Sequence, residues 1–138
     1  MTQFDDAYGS FANDGAALYC SVAALRRLAK LLAHSSAAEV GLADAPAAVL
    51  EAGPVRALSI FPGAGHLEIQ RQGEAIQIVG GPEAREMLGA TLENLALESG
   101  VEGPIPRHVD LEYFPGHSFL AERSMWLSVF LLPDEGSA

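Results

Sequence analysis

Three ionisable side chains recur at alternate positions, His108, Asp110 and Glu112, within R-H-V-D-L-E-Y-F-P-G at residues 107–116. Side chains two apart on an extended strand point the same way, so these three share one face while Val109, Leu111 and Tyr113 share the other. An imidazole and two carboxylates on one face could ligate zinc or a similar ion, with His66 or His117 beside them. No spaced His/Cys signature accompanies them, and an ordinary solvated sheet face accounts for the same pattern. His117 follows the turn and could serve as a general base, yet Ser118 and Ser124 fall in a predicted loop without a G-x-S-x-G context. Gly80-Gly81 ahead of a helix lacks both G-x-G-x-x-G and a P-loop lysine, so it reads as helix entry rather than a phosphate cradle. The expectation is a protein that is not an enzyme and that carries neither a metal nor a cofactor.

Charge narrows the partners. Eighteen acids stand against eight bases, Lys30 is the single lysine, and the formal net charge is −10. So acidic a surface repels phosphate backbones and argues against nucleic acid; it suits a basic protein surface, and it also serves plain solubility. Asp110, Glu112 and Glu122 gather near the C-terminal strands, with Glu68 and Glu74 on an earlier hairpin. Trp126, Phe130, Tyr113 and Phe119 read either as an interaction patch or, more simply, as core. The lone Cys20 permits no internal disulfide, in keeping with a reducing cytoplasm. Residues 1–6 carry neither the basic region nor the apolar run of a signal peptide, and no apolar stretch approaches the roughly 20 residues of a membrane span.

The elements that must position these residues follow from spacing. Residues 1–6 read as a loose end. Asn13-Asp14-Gly15 between extended runs signals a hairpin of residues 8–12 and 16–20. Ser21 can cap a helix over 22–34, whose Val22, Leu25, Leu28, Ala29 and Leu32 recur at threes and fours, with Arg26, Arg27 and Lys30 off that face. Residues 35–54, rich in Ala with Gly and Pro, read as a connecting loop or a short helical turn near 46–51. Residues 55–61 form a strand. A second hairpin spans 66–71 and 74–79 around Gly73, and a second helix starts at Pro82. That helix carries Ala84, Met87, Leu88, Leu92 and Leu95 as its apolar stripe and stops near Gly100. Residues 117–124 are a loop, 125–132 a last apolar strand, and 134–138 a fraying tail.

Phe61-Pro62-Gly63 returns as Phe114-Pro115-Gly116, and both halves run hairpin, helix, strand. This order suggests an internal ββαβ duplication, residues 8–63 and 66–132, within a single domain of residues 1–138. The expected fold is an α+β two-layer sandwich: one mainly antiparallel sheet of about six to seven strands with both helices on one face.

Residues 74–132 resemble bacterial immunity proteins of polymorphic toxin systems, the immunity family numbered thirty-two. The resemblance lies in the strand Ile76-Gln77-Ile78-Val79-Gly80, the helix bearing Leu88, Leu92 and Leu95, then H-V-D-L-E-Y-F-P-G-H at 108–117, and Ser124 before the strand at 127–132. Met125-Trp126 departs from the family's pattern, and the N-terminal half is not covered. The resemblance implies a cytoplasmic protein that binds and neutralises a cognate toxin, and it assigns no residue a role. On the charge pattern, His108, Asp110, Glu112, His117 and Glu122 are the expected contacts, in a monomer or homodimer. The alternatives are a small metal-dependent hydrolase using His117, His108 and Glu112, or a structural or regulatory subunit that self-associates through an edge strand.

Overall fold

A computed structural model describes residues 2–34, 36–99 and 106–133. The fold is α+β, with two helices and two mixed sheets of five strands each. In chain order the elements are β1 (Thr2–Phe4), β2 (Ala7–Phe11), β3 (Gly15–Cys20), α1 (Val22–His34), β4 (Ala38–Leu42), a 3-10 turn (Ala47–Val49) and β5 (Pro54–Val55). They continue with β6 (Ala57–Pro62), β7 (Glu68–Gln72), β8 (Ala75–Gly80), α2 (Pro82–Ala96), β9 (His108–Leu111) and β10 (Trp126–Leu131). No helix among the described residues is long and apolar enough to cross a membrane.

The expected single, mainly antiparallel sheet is corrected to two. One sheet has the order β1-β4-β6-β8-β7, the other β5-β2-β3-β10-β9. Each is centred on a parallel pair, β6 with β8 and β3 with β10. Each parallel pair is flanked by antiparallel neighbours, β4 and β7 in the first, β9 and β2 in the second. The two sheets thus share one run of strand senses, β7-β8-β6-β4 matching β2-β3-β10-β9. In each, a hairpin from one half of the chain pairs with the two later strands of the other half. The Phe-Pro-Gly echo does not mark matching places in this pattern. Phe61-Pro62 ends β6, which holds the station β10 holds in the other sheet, whereas residues 114–116 lie beyond β9.

Local chemistry explains the helices. Ser21 Oγ accepts the amide of Ala24 at 3.0 Å and donates to the Asp6 carboxylate, so α1 is capped as the sequence indicates; such a cap contributes about 1 kcal/mol. Helix α1 buries Ala24, Leu25, Leu28, Ala29 and Leu32, and each fully buried Leu contributes about 1.5–3 kcal/mol. Pro82 opens α2, where its missing amide has no partner to lose. Helix α2 packs on α1 so closely that a Cβ at Gly89 would stand 3.0 Å from the Ala29 carbonyl oxygen. Arg85, not Met87, joins its buried face: Arg85 Nη1 donates to the Leu32 carbonyl, and Met87 is exposed. Gly100 lies outside the described residues.

One hydrophobic cluster takes in both sheets and both helices. Residues 1–6 are not a loose end throughout: β1 runs parallel to β4, and Phe4 is fully buried under the Arg27 guanidinium at 4.3 Å. The stretch 36–54, expected as a connecting loop or a short helical turn near 46–51, holds the strand β4, the 3-10 turn and the first residue of β5. The strand expected at 55–61 breaks at Arg56, whose amide donates to Glu74 and whose carbonyl accepts from Leu42. Arg71 ties the sheets together at one end, its guanidinium 3.9 Å over the Phe11 ring and donating to the Ala52 carbonyl.

Candidate functional site

Strand β9 is short and ends its sheet, and it behaves as the alternating pattern requires. Leu111 is buried and Val109 half-buried, while His108 and Asp110 face outward. The strand stops at Leu111, so Glu112 sits just past it, exposed. Asp110 is held in place: Ser128 Oγ of β10 donates to its Oδ1 at 2.6 Å, and His108 Nε2 stands 3.5 Å from Oδ2. His108 Nδ1 lies 3.0 Å from the Pro106 carbonyl.

The register places four rings in a row across the outer face of this sheet. Tyr8 on β2 stacks on Tyr19 on β3 at 5.2 Å, Tyr19 on Phe130 of β10 at 5.0 Å, and Phe130 on His108 of β9 at 4.9 Å. Opposite residues of adjacent strands meet directly, which is why side chains from four strands can form one ladder. Two rows along, beyond Ala17 and Ser128, Trp126 lies over Gly15, where a Cβ would overlap indole atoms Cδ2 and Cε2 and the Trp126 carbonyl oxygen. Gly15 has no positive φ, so it is glycine to admit the Trp126 indole and backbone carbonyl and not for hairpin geometry. Trp126, Asp110, Glu112 and Ser128 line a shallow cleft of about 260 Å³. At the far end of the face a larger cleft of about 630 Å³ is lined by Asp5, Asp6, Tyr8, Ser21 and Arg26. Burial of the Tyr8 ring, with Tyr19 alongside, raises its phenol pKa.

The other expected contacts lie elsewhere. His117 and Glu122 belong to the segment that covers β7 at the border of the other sheet. There Leu67 and Leu120 form a bridge, and Ser124 Oγ accepts from the Ile69 amide and donates to the Leu67 carbonyl. His117 Nδ1 accepts the amides of Phe119 and Leu120 at 3.1 and 3.0 Å, which fixes the tautomer with its proton on Nε2. Partial burial, then the neighbouring His66, lowers its pKa below the usual imidazole value. The ring lies between Phe114 and Phe119 and organises the turn; its Nδ1 lone pair is not available as a base. Glu122 is exposed. Among the described residues no three His, Cys, Asp or Glu side chains converge as a metal site. Phe119 is buried and Tyr113 packs against the core, so of the four aromatics that read as patch or core only Trp126 and Phe130 stand on the outer face.

Tyr8 and Tyr19 were not legible as site residues. Each sits at a polar-side position of its strand, a usable signal, but nothing in the sequence puts β3 beside β10. Comparisons with protein-family models, curated proteins and solved structures return no match.

Proposed function

We propose that this chain is an immunity protein that binds and neutralises a cognate bacterial toxin domain in the cytoplasm, docking through the outer face of the β10 sheet. The observation that carries this is the row Tyr8, Tyr19, Phe130 and His108, left half-open to solvent beside Asp110 and Glu112. Rigid aromatics supply most binding energy at protein interfaces and lose little entropy on docking. An acidic surround speeds encounter with a basic partner and rejects wrong ones. The resemblance of residues 74–132 supplies the class of partner, and the net charge of −10 its sign. His108, Asp110 and Glu112 make the central contacts in this function, and His117 and Glu122 a second group on the other sheet's border. The protein acts as a monomer or homodimer. Its two halves, each a hairpin, a helix and two later strands, descend from one duplicated unit.

Co-expression with the product of the adjacent upstream gene, followed by a pull-down, tests the proposal. The expected result is a stoichiometric complex and protection of the host cell. Failure to bind or protect against any adjacent toxin removes the proposal, and a stoichiometric metal in the purified protein would favour a hydrolase instead.

A further inference from the structure

We propose that the cleft between Trp126 and the Asp110–Glu112 pair seats an arginine side chain from a basic segment of the partner protein; this rests on the docking function proposed above and names its chemistry. At about 260 Å³ the cleft falls below the roughly 300–1,000 Å³ of small-molecule sites, and it is open; it has room for one side chain. Its wall is the Trp126 indole, which lies over Gly15, and its rim carries two carboxylates. Guanidinium is planar, stacks on aromatic faces and pairs with carboxylates as a fork, so it satisfies wall and rim together; an ammonium satisfies chiefly the charge. Asp110 is pre-oriented, since Ser128 Oγ anchors Oδ1 at 2.6 Å and no bound side chain has to be spent on fixing it. The outward positions of β3, β9 and β10 carry no lysine or arginine: they hold Ala17, Tyr19, His108, Asp110, Ser128 and Phe130 besides Trp126. A second arginine about four residues away on an extended partner segment would reach the rings of Phe130 and Tyr19, beyond the Ser128 and Ala17 row of the same face.

Trp126 is the only tryptophan in the chain, so its emission reads this cleft without labelling. The full chain is titrated with acetylated, amidated tetra-arginine and with tetra-lysine of the same length, neither of which absorbs in the tryptophan band. A saturable emission change is expected, with tetra-arginine at least about fivefold tighter than tetra-lysine. The double variant Asp110→Asn/Glu112→Gln should weaken tetra-arginine about tenfold. Glu39→Gln/Glu68→Gln on the other sheet changes net charge equally and should leave it unaltered; both pairs are surface residues, and circular dichroism verifies folding. Absence of saturation, equal affinity for the two peptides, or equal loss in both double variants overturns the inference. Arginine-selective binding without toxin neutralisation would fell the proposed function and leave this cleft assignment standing. Neutralisation untouched by Asp110→Asn/Glu112→Gln would fell the cleft assignment and the contact role of these two carboxylates, and leave toxin binding itself standing.

Discussion

The two sheets share a frame and differ in what they show to solvent. Aligned by register, the row Tyr8, Tyr19, Phe130 and His108 corresponds to Glu68, Val79 and Phe61 on the other sheet. The next row, Ser10, Ala17, Ser128 and Asp110, corresponds to Gln70, Gln77, Ser59 and Glu39. Below that, Gly15 with Trp126 corresponds to Ala75 with Ala57. Inward positions on both are aliphatic, with Leu18 and Val129 on one side and Ile78 and Ile60 on the other. The other sheet closes with a glutamate, a valine, one exposed phenylalanine and small alanines at these stations, so the frame itself does not require the stacked tyrosines or the tryptophan. Under the proposed function the extra rings are the surface that meets the partner.

Grafting the plain face onto the aromatic one tests this most severely. Tyr8→Glu/Tyr19→Val should weaken partner binding by about a hundredfold or more, measured by calorimetry, since central aromatics are commonly worth about 2 kcal/mol each. Gln70→Ala/Gln77→Ala should change it less than about twofold. The melting temperature of the Tyr variant should drop only modestly, because each stacked pair adds about 0.5–1.5 kcal/mol beyond burial; outright unfolding would break the comparison and return the rings to a structural role. A sharper contrast of smaller size lies at the glycine station. Gly15→Ala should cost about 2 kcal/mol by denaturant titration, since a Cβ there meets the indole, whereas Ala75→Gly should cost about 0.5–1 kcal/mol from backbone entropy alone.

Acid acts on the segment that covers β7. His117 has its pKa lowered by partial burial and by His66, so it is neutral in the folded state at pH values where the unfolded chain, with a pKa near 6.5, takes up a proton. The unfolded state then binds more protons, and stability falls as pH drops below 6.5 through the folded pKa. A denaturation series from pH 7 to 5 should show that loss, and His117→Gln should flatten it. The smallest expected effect is a null one. Burial, then the Asp6 carboxylate, pushes the Cys20 thiol up to about 12, so Ellman's reagent should leave the native thiol untouched until the chain unfolds.

Local structure was legible where one chemistry decides it. Leu25, Leu28 and Leu32 at helical spacing behind a Ser21 cap fixed α1, and the turn at Gly73, with φ of 63°, fixed the β7–β8 hairpin. Strand β4 is not legible in the sequence because Ala38, Glu39 and Gly41 have weak strand propensity; it forms because β1 and β6 bracket it. Alternation put His108 and Asp110 on an outer face correctly, but it says nothing about neighbours. Tyr19 and Phe130 meet only through a parallel pairing between strands far apart in the chain, and no local signal encodes that.

That pairing has a price paid during synthesis. As the chain leaves the ribosome, β2 and β3 appear early with Gly15 to Cys20 ready for a parallel neighbour that is Trp126 to Leu131. Until β10 is translated, β3 presents a bare backbone edge and the unshielded apolar faces of Leu18 and Cys20. Long-range closure of this kind is slow, so the β3 edge stays open until β10 has been made and has paired with it.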